Sequence, residues 1–201
     1  MNVEATLITL VPWRTLRSLT GTAAPVPAAL SDLLTAATPP AAEAAYWRLD
    51  NHVVVQGQLF ESALGVVGPL VSALTRPLPD FVRERVMDLL VEIGYGEADG
   101  DEIAAGGSAR LGDLCRDELR CGLWLFYGLL GDEAPTVRSS ALDLVDALDP
   151  ERNRVAAVAS SMTADSDVRV ARRARRILDR SAGSSTEDGA HQGSWPDADG
   201  S

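Results

Sequence analysis

Side chains able to do acid–base, nucleophilic or metal chemistry are few in this 201-residue chain, or spaced against it. Beside 29 acidic residues it offers two cysteines, Cys115 and Cys121, and two histidines, His52 and His191. Either cysteine could pair with His52 as nucleophile and base. Both fall on a stretch that reads as an apolar helix, where a free cysteine behaves as a small buried hydrophobe. Their separation along that helix is about 9 Å, too far for a disulfide. His191 lies in a terminal segment rich in Ser, Gly and Asp, which reads as disordered and would not hold it in a fixed geometry. No grouping of His, Cys, Asp and Glu has zinc-ligand spacing, and no glycine-rich loop follows a strand to cradle phosphate. Asp113 and Asp117 sit one turn apart, but Arg116 and Arg120 interleave with them as on a solvated helix face. The sequence thus implies no catalytic residue, no metal and no cofactor.

Binding chemistry is better represented. Tyr46, Trp47, Asn51, His52 and Gln56 mix aromatic and amide groups around a junction between helices. Such a mixture suits a protein-binding hot spot, and it equally suits aromatic capping of a core beside a secured turn. Asp143, Asp146 and Asp149 recur every third residue and would line one side of their helix, attracting a basic partner. Residues 169–180 are the opposite case, with six arginines against Asp179 and an apolar stripe of Val170, Ala171, Ala174, Ile177 and Leu178. Trp124, Phe126 and Tyr127 belong to an apolar run, Leu119 to Leu130, that reads as a buried central helix.

The elements that must position these residues are helical. Hydrophobic content of 46% against 23% charged is that of a globular chain. Apolar spacings of three and four predict helices over 27–37, 41–50, 56–74 (with Pro69 as a kink), 80–93, 110–130, 134–148, 151–163 and 167–180. The triplet Val53-Val54-Val55 reads as helix or extended chain. Residues 95–109 lose all periodicity among Gly, Asp and Glu and read as a mobile acidic loop. Residues 181–201 read as a disordered tail, and periodicity is weak over 1–26.

Three segments align without gaps: Val82-Arg83-Glu84-Arg85-Val86-Met87, Val137-Arg138-Ser139-Ser140-Ala141-Leu142 and Val168-Arg169-Val170-Ala171-Arg172-Arg173. Each follows an acidic or proline-bearing turn. An Asp-rich turn, then Val-Arg, then an alanine- and leucine-rich helix resembles the second helix of HEAT repeats, over about residues 56–180. The resemblance implies an all-α, HEAT-like α-solenoid of stacked antiparallel helical hairpins. It implies an N-terminal helical section over 1–55, repeats over 56–180 and the tail over 181–201. It further implies core positions for Val82, Val137 and Val168, and a structural ladder of Arg83, Arg138 and Arg169 paired with turn acids. The segment from Trp47 to Ala63 is similar to one found in actinobacterial HEAT-like proteins, some of which look like immunity partners of toxins.

Charge narrows the partner. The net charge is −11, and all 18 basic residues are arginine. Duplex DNA would meet repulsion along most of the chain. No apolar run approaches the length of a membrane span, and the acidic start is unlike a signal peptide, so a cytoplasmic location is expected. The expectation is a non-catalytic protein–protein interaction module for a partner with a basic surface, of which an immunity-type inhibitor is one form. A HEAT-like DNA-binding or DNA glycosylase protein, and a scaffold or regulatory subunit, are the alternatives.

Overall fold

The computed structural model describes residues 3–187 and is mostly helical. The first helix, α1 (Val3–Leu10), precedes a two-residue-strand hairpin, β1 (Arg17–Ser18) and β2 (Gly21–Thr22), within the stretch of weak periodicity. Next come α2 (Val26–Leu34) and α3 (Pro39–Val53). Proline at the first turn of α3 gives up no hydrogen bond there, and the Thr38 hydroxyl accepts from the Ala41 amide to cap it.

The valine triplet divides: Val53 ends α3, while Val54–Val55 form β3, paired antiparallel with β4 (Gln58–Leu59). Gln56 and Gly57, with φ of 53° and 80°, make the tight turn between them. This hairpin takes the first residues of the expected 56–74 helix, so α4 starts only at Ser62 and runs to Ala73, through Pro69. The central helix, α5 (Asp80–Tyr95), follows.

The segment 95–109 is folded, contrary to the loop expected there. Glu97–Ala98 form β5, parallel to β4, and Gly100–Ala104 form α6, capped by the Asp99 carboxylate on the amides of Asp101 and Glu102. Glu102 is only 2% exposed, and Arg17 reaches it with Nε at 2.9 Å and Nη2 at 2.8 Å. The partner that makes this acidic stretch foldable lies 85 residues away, beyond the reach of any local pattern.

After it come α7 (Leu111–Arg120), α8 (Leu123–Leu129) and α9 (Pro135–Leu148). The expected continuous helix over 110–130 is broken at Cys121-Gly122, and Trp124 is 71% exposed. The buried central helix is instead α5, which packs against α3, α4, α7 and α9 and buries Val82, Val86, Met87, Leu89, Leu90 and Ile93 completely. Elsewhere α2 packs on α3, α1 on α4 and α8 on α9, so the expected N-terminal section joins this body. This first compact unit extends to Pro150.

A second unit starts at Glu151 and holds α10 (Arg152–Met162) and α11 (Val168–Glu187), packed on each other as a hairpin. The last helix thus runs past the expected boundary at residue 180, and the remainder of the expected tail lies outside the described residues.

The three Val-Arg segments do not share one helical register. Val82 and Val137 are the third residues of α5 and α9 and are fully buried. Val168 is the first residue of α11 and is 63% exposed, which corrects its expected core position. Backbone bonds show the shift: Arg83 N donates to Pro79 O, Arg138 N to Ala134 O and Ala171 N to Asp167 O. The turn acids agree, since Asp132 accepts from the Ala134 amide as Asp165 does from that of Asp167. Val170, fully buried, is therefore the structural counterpart of Val82 and Val137, two residues beyond the one the ungapped alignment selects.

Candidate functional site: the carboxylate face of helices α3 and α5

Two stripes meet where α3 crosses α5. On α3, Glu43, Trp47 and Asp50 are spaced i, i+4, i+7 and so share a face, with Tyr46 beside them. On α5, Arg85, Asp88 and Glu92 are spaced i, i+3, i+7. Tyr46 is buried and donates its hydroxyl to Glu92 Oε1 at 2.8 Å. Trp47 is 51% exposed, stands edge-on to the Tyr46 ring at 5.2 Å, and donates its indole N–H to Glu43 Oε1 at 2.7 Å. Arg85 crosses between the stripes, 2.6 Å from Glu43 and 2.9 Å from Asp88, with its guanidinium carbon 5.4 Å from the Tyr46 ring centroid.

Negative charge exceeds positive here. Of four carboxylates, Glu43 and Asp88 share Arg85, while among the described residues no arginine lies within ion-pair distance of Asp50 or Glu92. The consequence is electrostatic. Burial and the adjoining Glu92 push the Asp50 carboxyl up to about 6. Burial also raises Asp88, where Glu84 and Glu92 add to it and Arg85 opposes it. The Tyr46 phenol is raised in turn by burial and Glu92, so it stays a hydrogen-bond donor. The arrangement is a half-buried, under-compensated anionic surface with an aromatic plate at its edge. Chemically it can accept a cation, above all a planar guanidinium that can lie on Trp47 and bridge carboxylates.

The residues expected to form the aromatic–amide cluster are distributed differently. Tyr46 and Trp47 belong to the α3–α5 face. The Asn51 amide donates to Trp47 O at 2.7 Å on its own helix. His52 Nδ1 lies 3.1 Å from Thr20 Oγ1, and its carbonyl accepts from Ser62 Oγ. Gln56 is exposed in the β3–β4 turn. The five therefore do not converge: α3 ends at Val53, so the helical spacing linking Tyr46 to Gln56 is interrupted.

The acidic stripe of α9 is also altered. The Tyr95 hydroxyl lies 3.2 Å from Asp143 O and 3.3 Å from Asp146 Oδ2. Asp149 is 2% exposed and accepts the Tyr127 hydroxyl. It lies one residue past the end of α9, with φ −80° and ψ 116°, so the three-residue spacing no longer places it on the exposed side. Asp149 is thus a buried acceptor and not part of an acidic surface.

The motif arginines hold turns. Arg83 Nη1 lies 3.1 Å from Asp132 Oδ2, joining the first motif to the turn before the second, and its Nη2 is 2.8 Å from Asp80. Arg138 Nη1 donates to the carbonyls of Asp132 and Glu133, in the turn before its own helix. Arg169 pairs with Asp167, also in its own turn, and holds that carboxyl below its ordinary value. Cys115 is buried, and burial pushes its thiol up to about 12, while Cys121 is exposed.

Sequence reasoning passed over Glu43, Arg85, Asp88 and Glu92 as site residues. The signal was present in the two helical spacings, but only the packing of α3 on α5 turns two ordinary polar stripes into one site. Among the described residues no cluster of three potential metal ligands occurs, and no helix is long and apolar enough to cross a membrane. No family model, curated protein or solved structure matches the chain.

Proposed function

We propose that the chain is a non-catalytic protein-interaction module that takes an arginine-bearing, basic segment of a partner protein on the α3–α5 face. The observation that carries this reading is the surplus of carboxylate around Asp50 and Glu92, beside the half-exposed plate of Trp47. A folded protein gains nothing for its own stability from crowding like charges, so a guest cation is the natural complement. Aromatic rings ringed by polar groups are where binding energy concentrates. Helical hairpins of HEAT type suit this role. The α8–α9 and α10–α11 pairs, the shared turn geometry and the Arg83–Asp132 bridge support extending the HEAT-like reading to the array. An immunity-type inhibitor, acting by covering a basic surface on its partner, is the specific form we favour.

The test is calorimetric titration of the full chain with an arginine-rich peptide at pH 6 in two buffers of different ionisation enthalpy. A cation seated beside Asp50 lowers that carboxyl, so binding should release protons and the two heats should differ. Asp88→Asn/Glu92→Gln should weaken binding several-fold more than Asp113→Asn/Asp117→Asn, which removes the same charge elsewhere. Equal losses in both double variants would reduce the interaction to net charge and defeat the proposal.

A further inference from the structure

The loop after α1 forms one wall of a concavity. A groove of about 470 Å³ is lined by the apolar side chains of Val11, Pro12, Trp13, Ala24 and Pro27. That volume falls in the range of small-molecule sites, roughly 300–1,000 Å³. The groove is built into the fold. The Trp13 indole donates to Ile8 O at 2.7 Å, and backbone bonds from Trp13 to Val11 and from Thr15 to Pro12 fix the loop. Behind it, Gly65 of α4 lets the chain approach closely, for a Cβ there would lie 3.0 Å from both the Trp13 ring and the Val11 side chain. The Thr15 hydroxyl, which also lines the groove, is already donated to Pro12 O at 2.9 Å.

The remaining lining residue is Arg14, exposed and cationic. Residues 3–150 hold ten arginines among twenty-one acids. Nine of them are bonded to a carboxylate or a backbone carbonyl. Arg14 alone makes no hydrogen bond or ion pair among the described residues, in a unit where carboxylates outnumber guanidinium groups two to one. An apolar groove with one uncommitted guanidinium is complementary to an apolar body that ends in an anion.

We propose that this groove binds a small carboxylic acid, with its apolar chain against Trp13 and the two prolines and its carboxylate on Arg14. The site is separate from the α3–α5 face and stands or falls independently of it.

The experiment is an amide-correlation NMR titration of the ¹⁵N-labelled full chain with sodium octanoate and, as the neutral counterpart, 1-octanol. Octanoate should give saturable shifts centred on Val11, Thr15, Ala24 and the Trp13 indole, with a Kd near or below about a millimolar. Arg14→Gln should weaken octanoate about tenfold and leave octanol unchanged. Ala24→Trp, filling the groove from an exposed position, should remove both responses while the thermal melt stays as in the parent chain. Shifts spread over the whole molecule, no saturation, or equal weakening of both probes by Arg14→Gln would overturn the proposal.

Discussion

Asp50 gives the strongest handle on the α3–α5 face, because its carboxyl is raised and the direction of the resulting pH dependence is fixed. In the unfolded chain it titrates near the ordinary carboxylate value of about 4. In the folded chain burial and Glu92 push it up to about 6. The folded state therefore binds the proton more tightly, and the stability this group contributes is complete below pH 4 and lost as pH rises through 6. At about 1.4 kcal/mol per pH unit the full difference would approach 3 kcal/mol, and solvent on the open side of the site screens it to about 1 kcal/mol. Urea unfolding at pH 4.5 and pH 7.5 reads this directly. Asp50→Asn should gain about 1 kcal/mol relative to the parent between those two pH values. Glu92→Gln should gain less, since its amide oxygen still accepts from Tyr46 and the repelling charge is gone, but Asp50 stays buried. The double variant should gain little beyond Asp50→Asn alone, because that change already removes the repulsion. Parallel pH profiles for the parent and Asp50→Asn would refute the carboxylate crowding on which the site rests.

Other parts of the molecule are equally exposed to measurement. Val170→Ala should cost about 1–2 kcal/mol in urea unfolding, whereas Val168→Ala should stay within about 0.5 kcal/mol, as the two-residue register shift of α11 requires. Arg17→Ala leaves Glu102 buried without its cation and should cost about 3 kcal/mol, most of which the double variant Arg17→Ala/Glu102→Leu should recover. A disulfide reagent such as dithionitrobenzoate should titrate one thiol of the native chain quickly, and Cys121→Ser should abolish that phase, while Cys115 should react only on unfolding.

Helix positions were readable where a long helix carries a periodic apolar stripe and is bounded by proline or glycine, as α5 and α9 are. What escaped the sequence was set by partners distant in the chain. The segment 97–104 folds because β5 finds β4 and because Glu102 finds Arg17, neither of which a local window contains. Spacing alone groups Asp149 with a stripe, although it lies past the helix expected over 134–148, and its burial depends on Tyr127, 22 residues away. The α3–α5 site was missed for a related reason: Glu43, Trp47 and Asp50 are unremarkable on an isolated helix, as are Arg85, Asp88 and Glu92 on theirs.

The arginines explain why the composition understates the acidity that a partner meets on the first unit. Arg17, Arg76, Arg83 and Arg116 are partly withdrawn from solvent and spent on tying distant segments together, to Glu102, Glu4, Asp132 and Glu97 respectively. A guanidinium held this way neutralises a carboxylate that the fold itself placed beside it and does little for the rest of the surface. The charge left to act outward is then dominated by groups such as Asp50 and Glu92, which have no arginine of their own. Arg14 is the exception that follows from the same logic. With acids in twofold excess, an unpaired arginine is unexpected unless its surroundings keep carboxylates away, and an apolar groove does so. The commitment of nearly every arginine to an internal bond thus leaves the anionic face without a cation, and the apolar groove leaves Arg14 without an anion.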